Sequence, residues 1–188
     1  VNSERIALVC GFVLLFAGGT ALKPLAREPD GAVEDGVWSV LGSYRPLAAD
    51  WFWLETDLAW ERRDAAGTRY LIGLTLAADP HSQYFWLNSA RMLAYDLPSW
   101  SDDAPGDAGP AVRVHRRKVA AGESLRLLER GLRWHPDSEA LHLEMANICL
   151  YALGDRARAA AHYRVVAAQP DAPAYAARIY RRLQEPRR

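Results

Sequence analysis

The stretch "HPDSEALHLEMANICLYALGD", residues 135–155, reads as a polar turn running into a helix. Pro136 has an echo 34 residues later, at Pro170, where the chain writes "QPDAPAYAARIY". An earlier echo stands at Pro80, in "ADPHSQYFWLNSARMLAYDL". Each time an apolar helical run ends near a proline and a new run begins after it. Whether this is a repeat or recurring punctuation decides the fold.

The wider sequence favours helices throughout. From residue 37 to 184 the apolar residues recur at helical spacing, with no convincing strand alternation. Seven runs emerge: 47–63, 65–80, 81–97, 112–136, 138–155, 156–170 and 172–185. Ser82 and Ser138 stand where N-caps belong, beside Asp79-Pro80 and Pro136-Asp137. Gly154-Asp155 divides two runs as a tight turn. The expected inward faces are Tyr70, Leu71, Leu74 and Ala78 in the second run, and Trp86, Ala90 and Leu93 in the third. Val119, Leu125, Leu128 and Leu132 form the stripe of the fourth, and Tyr175, Ile179 and Leu183 that of the last. Trp51, Trp53 and Trp60 crowd one helix and cannot all face inward.

A spacing of 34 is the period of the tetratricopeptide repeat (TPR), and residues 47–184 resemble an array of that family. The family pattern places a large residue at the fourth position of each repeat, a small one at the eighth and a large one at the eleventh. After Pro80 these are Trp86, Ala90 and Leu93; after Pro136 they are His142, Ala146 and Cys149. In the second helix Ala159, Tyr163 and Val166 follow the pattern with one extra turn residue. The first unit fits least, with Thr56 at the small position. Pro80 and Pro136 are 56 residues apart, 22 more than one period, so the resemblance implies an insertion. The segment 97–112, rich in Pro, Gly and Asp, is expected to hold it as a loop between helices.

The expected fold is therefore all-α: a TPR-like α-α superhelix, a solenoid of about three helix pairs plus a capping helix, following an N-terminal transmembrane helix. A single pair cannot bury its apolar face, whereas stacked pairs can. The last helix carries Arg178, Arg181 and Arg182 on the polar outer face that a cap requires.

Upstream, "IALVCGFVLLFAGGTAL" (6–22) runs seventeen residues without a charge between Arg5 and Lys23. At 1.5 Å per residue it reaches roughly 26 Å, the short end of a membrane span. Residues 1–23 are read as a single-pass anchor, weighed against a cleaved signal peptide and a buried soluble helix. Residues 24–46 then form a linker. The flanking charges are nearly balanced, and a signal anchor so close to the N-terminus places the soluble part on the periplasmic side of a bacterial inner membrane.

Net charge is zero, from 23 basic and 23 acidic residues, so the chain lacks the basic footprint of a nucleic-acid binder. Cys10 and Cys149 are poorly placed to pair and form no metal knuckle. No HExxH, GxSxG, CxxC or phosphate loop occurs. The acidic "DDAPGD" (102–107) lacks the alternation and closing Glu of a calcium loop. A non-enzymatic protein without cofactor or metal is expected.

The resemblance implies that first helices line a concave, partner-binding groove for a protein or peptide. This face would carry Trp53, Asp57 and Trp60 in the first unit and Tyr84, Leu87, Arg91 and Tyr95 in the second. In the third it would carry Leu143, Asn147 and Tyr151, with Asn147 where TPR peptide binders often hold a ligand backbone. Large aromatics and Arg are the residue types enriched at binding hot spots. Arg91 lacks the Lys companions of a carboxylate clamp. The competing expectation is a structural subunit of an envelope complex whose groove is filled by the chain's own 37–47 segment or by a permanent partner.

Overall fold

The computed structural model describes residues 41–102 and 109–185. The expected anchor (1–23) and most of the linker (24–46) lie outside the described residues. Among the described residues no helix is long and apolar enough to cross a membrane.

All regular structure in the described residues is helical. After a short 3-10 turn (Gly42–Tyr44) come α1 (Arg45–Glu61) and α2 (Ala65–Ala78). Helix α3 begins as Gln83–Arg91, widens into a π turn at Met92–Asp96 and resumes as Leu97–Asp102. Helix α4 is Pro110–Leu132; α5 is Glu139–Asn147, continued by a second π turn at Ile148–Ala152. Helices α6 (Arg156–Ala167) and α7 (Ala174–Gln184) complete the order.

The breaks follow local chemistry. Pro46 and Pro110 sit in the first turns of α1 and α4, where a missing N–H costs nothing. Asp64, Ser138 and Asp155 cap α2, α5 and α6, each accepting a backbone N–H three residues on. Gly154 takes φ +69°, which a Cβ would disfavour, and lets α5 turn sharply into α6. Ser82 occupies the N-cap position of α3, but its side chain makes no cap hydrogen bond.

The helices pack as consecutive pairs: α1 on α2, α3 on α4, and α5 on α6 with α7 against α6. Short connections make α1 and α2 antiparallel neighbours. Arg45, at the start of α1, donates to the Ala77 and Ala78 carbonyls at the end of α2, 2.8 and 3.2 Å away. At the other end of the chain Arg156, at the start of α6, donates to the carbonyls of Arg182, Leu183 and Glu185. Contacts between pairs sort into two rows. First helices meet first helices: Trp53 touches Tyr84 and Phe85, and Arg91 meets Glu144. Second helices meet second helices through Arg69–Glu123 and Arg158–Glu129. Gln169 Nε2 donates to the Asp137 carbonyl, joining two successive proline turns.

The core is continuous between rows. Ile72, Leu76, Trp86, Leu93, Leu125, Leu128, Leu141, Met145 and Ile148 belong to one buried cluster. Ala146, Tyr163, Val166 and Ala176 form a second beneath α7. The three small positions, Thr56, Ala90 and Ala146, are all completely buried. Thr56 fills its place because its hydroxyl bonds the Phe52 carbonyl at 2.8 Å, leaving only its methyl to pack.

The structure also revises several sequence expectations. In α2 the inward face is Ile72, Thr75 and Leu76 with Ala78; Tyr70 is exposed and Leu71 and Leu74 are half-buried. Thr68 and Thr75 face inward with hydroxyls bonded to the carbonyls of Asp64 and Leu71, so they behave as small apolar groups. In α4 Leu125 and Leu128 are buried on one face with Ala121, but Val119 is exposed because it points to the opposite side of the helix. Tyr175 is exposed, and Ile179 and Leu183 pack on the second cluster. The expected 97–112 loop is helical at both ends: α3 continues through Asp102 and α4 begins at Pro110. Buried Leu97 and the core contact of Trp100 supply the packing that outweighs Pro98. Of the surplus 22 residues, much therefore lengthens two helices.

The two π turns lie at corresponding places. Met92 and Ile148 are 56 residues apart, as are Pro80 and Pro136. At the entry to the first, the buried Ser124 hydroxyl of α4 donates to the Ala90 carbonyl at 2.7 Å. Outside donors of this kind serve carbonyls where a helical ladder changes step.

Candidate partner-binding face

The expected binding residues Trp53, Asp57, Trp60, Tyr84, Arg91, Tyr95, Asn147 and Tyr151 all lie on α1, α3 and α5. These are the first helices of the three pairs, and contacts link them side by side. Their roles differ.

Trp53 is a packing residue. It is 8% exposed, edge-on to Tyr84 at 5.6 Å and tilted against Phe85 at 5.4 Å. Tyr84 remains 58% exposed, so its outer face is open. Trp60 stands at the rim, with Nε1 donating to Asp96 Oδ2 at 2.9 Å and its ring edge-on to Trp100 at 6.3 Å. Asp57 is half-buried; burial first, then the neighbouring Glu61 charge, lifts its carboxyl above the usual range. It opens on an apolar hollow on α1 rather than on the α3 side of the row, sharing that hollow with Trp51, Leu54, Glu55 and Leu58.

The centre of the face is a charged knot. Glu144 of α5 is buried and accepts from Arg91 Nε at 2.9 Å and from Tyr95 Oη at 3.1 Å. Arg91 keeps 51% of its side chain exposed, while the carboxylate keeps 5%. Such a pair binds two stacked helices in one register, and removing one partner strands the other charge. Burial, followed by the adjacent Glu144 carboxylate, pushes the Tyr95 phenol far above its ordinary range. It therefore remains a neutral donor.

Asn147 lies one helical turn beyond Glu144. Its Oδ1 accepts from Tyr163 Oη of α6 at 2.8 Å, which holds the amide in one orientation. The Tyr163 phenol is pushed up to about 12, first by burial. Tyr151, on the second π turn, is 73% exposed and extends the row.

Glu144, Asp96, Trp100 and Tyr163 belong to this arrangement although the sequence reading did not select them. Glu144 had a legible signal: it is three residues from Asn147 and seven from Tyr151, on the same helical side. Trp100 was masked by its proline-rich surroundings. Elsewhere, His142 and His162 join α5 to α6 with their Nδ1 atoms 3.2 Å apart. Burial, then His142 and Arg158, lowers the His162 imidazole to about 4. Among the described residues no group of three or more His, Cys, Asp or Glu is placed to hold a metal ion.

Arg91, Tyr95, Trp60 and Asn147 are paired with Glu144, Asp96 and Tyr163, and Tyr84, Tyr95 and Tyr151 are the exposed rings of the row. The class the fold and site define is an all-α protein of stacked helix pairs with an aromatic-rich first-helix row. No family model, curated protein or solved structure matches the chain.

Proposed function

We propose that the protein is a non-enzymatic protein–protein interaction scaffold. In this reading residues 1–23 tether it to a bacterial inner membrane with the soluble part on the periplasmic side. The α1–α3–α5 row is the concave face of a short TPR-like superhelix and receives a protein or peptide segment.

The observation that carries this reading is the exposure of Tyr84, Tyr95 and Tyr151 along one row, over polar groups that are already satisfied. Tyrosine offers a large, stiff contact surface that loses little rotamer entropy on binding, and it is enriched at hot spots. Because Glu144 neutralises Arg91, a bare carboxylate tail finds no dominant positive charge here. An extended segment with apolar or proline side chains suits the row better. Of the described residues of the 37–47 segment, Tyr44 and Leu47 are exposed and Leu41 is half-buried; the two exposed side chains support an open face over a self-filled one.

The test is affinity capture from native membranes with wild type beside Tyr84→Ser/Tyr151→Ser. Both side chains are exposed, so the variant keeps its fold. Specific partners are expected to be lost; an unchanged partner list overturns the reading. Arg91→Glu is the poorer probe, because it sets a second carboxylate against buried Glu144.

A further inference from the structure

Helices α5 and α6 bring two imidazoles together on the side of α5 that faces α6. The rings of His142 and His162 have centroids 5.5 Å apart, planes tilted by 38° and Nδ1 atoms 3.2 Å apart. The two separations differ by about two ring radii, so the nitrogens point at each other head-on. An imidazole nitrogen either carries a proton or offers a lone pair, and a pair of this kind is held by one N–H donating to the other nitrogen. Both rings are half-buried, and neither Nε2 is a buried atom without a partner. Each outer nitrogen can therefore carry its ring's proton toward water. In that tautomer both Nδ1 lone pairs aim at one point between the two helices.

The donor set narrows what such a point can hold. It is all nitrogen, with no carboxylate or carbonyl oxygen, so it suits copper-like cations and not magnesium or calcium. Among the described residues no third His, Cys, Asp or Glu joins the pair, whereas zinc takes three or four protein ligands. Two head-on lone pairs match the linear coordination of monovalent d10 ions, Cu(I) and Ag(I). Charge points the same way. Arg158, one turn before His162 on α6, is offset only in part by Glu129 at 3.8 Å, and a single positive charge beside it costs less than a double one. Burial, with His142 and Arg158, lowers the His162 imidazole to about 4, so it is already neutral at pH 7 and needs no deprotonation to bind. With metal–nitrogen bonds of ~2.0 Å the two nitrogens must part to ~4 Å, a small opening from 3.2 Å. Modest χ rotations of two half-buried side chains supply it.

We propose that His142 and His162 form a two-coordinate site for a monovalent soft cation, Cu(I) or Ag(I), held between α5 and α6 by both Nδ1 atoms. The ion takes the place of the shared proton. That proton is not released: it moves to Nε2 of its own ring, and no electron changes hands. The bound ion ties the two helices of the third pair to each other, independently of the contacts that α5 makes with α3.

The experiment uses the full chain, purified in detergent micelles, with Cys10→Ser to remove one thiol; Cys149 is buried. The probe is Ag(I), added as the nitrate in chloride-free buffer at pH 7. Long-range proton–nitrogen correlation spectra report the tautomer of each imidazole. One equivalent is expected to turn His142 and His162 together into Nε2–H tautomers with both Nδ1 signals shifted, while His81, His115 and His135 stay as they were. His142→Gln and His162→Gln are each expected to weaken binding on the order of a hundredfold, with the helical circular dichroism retained. Zn(II) is expected to bind on the order of tenfold more weakly than Ag(I). Nδ1 signals that Ag(I) leaves unmoved reduce the pair to a hydrogen bond and overturn the proposal, and this spectrum decides even where a variant unfolds. Undiminished binding in both variants overturns it by placing the ion elsewhere, Cys149 included. Zn(II) binding tighter than Ag(I) overturns the two-coordinate assignment.

Discussion

At the scale of single residues, the molecule resolves polar groups by pairing them inside the stack. The His142–His162 contact is an example with a measurable consequence. One Nδ1–H must donate to the other Nδ1, so one ring stays neutral. The His162 imidazole lies at about 4 in the folded chain, below its ordinary 6.5. The unfolded chain therefore binds the extra proton more readily at intermediate pH. The stabilisation is fully present above about 6.5 and is lost as pH falls toward about 4. Allowing for the half-buried site, it amounts to on the order of 2 kcal/mol. Urea unfolding at pH 7 and pH 4.5 checks this: wild type is expected to lose more stability between the two than His162→Gln does. Equal losses would remove the imidazole pair as the cause. The presence of both histidines was plain in the sequence, but their approach was not. Twenty residues separate them, and only the α5–α6 packing brings the rings together.

At the scale of elements, helix ends were the most legible feature and helix faces the least. Proline, serine and glycine act through their own backbone angles and hydrogen bonds, so the seven runs expected between residues 47 and 185 correspond to seven helices among the described residues. Even here equivalent positions are not equivalent in energy. Ser138 Oγ accepts the Leu141 N–H at 3.2 Å, whereas Ser82 makes no such bond. Ser138→Ala is expected to cost about 1 kcal/mol and Ser82→Ala only a few tenths, read from thermal midpoints. Comparable costs would mean that Ser82 caps α3 in solution. The π turns at Met92–Asp96 and Ile148–Ala152 had no signal in the apolar spacing. One extra residue per turn arises from how a helix sits against its neighbours, as with Ser124 at the Ala90 carbonyl. The inward face of α2 escaped for a similar reason. Thr68 and Thr75 count as polar by composition but bury their methyls once their hydroxyls bond back to the helix.

At the scale of the whole molecule, stability rests on the contacts between successive pairs. Glu144 is the clearest such joint, because its partners Arg91 and Tyr95 both come from the preceding pair. Glu144→Ala leaves two donors facing an empty site and is expected to cost about 3 kcal/mol. Glu144→Gln keeps one acceptor and is expected to cost about half as much, and Tyr95→Phe about 1 kcal/mol. Urea midpoints with unchanged slopes are the readout. If Glu144→Ala proves neutral, the knot does not hold the α3–α5 register.

Much of this protein was determined by its sequence alone. The helices and their proline joints follow from local geometry and a 3.6-residue period, and the family resemblance marked Ala90 and Ala146 as small positions, which are buried, as is the poorly fitting Thr56. The tertiary structure alone decided which of the three α1 tryptophans is buried, that Leu97–Asp102 stays helical despite Pro98, and that Arg91 and Tyr95 are the partners of Glu144. Burial of a side chain, and the partner that makes it tolerable, depend on residues dozens of positions away. No local periodicity encodes that distance.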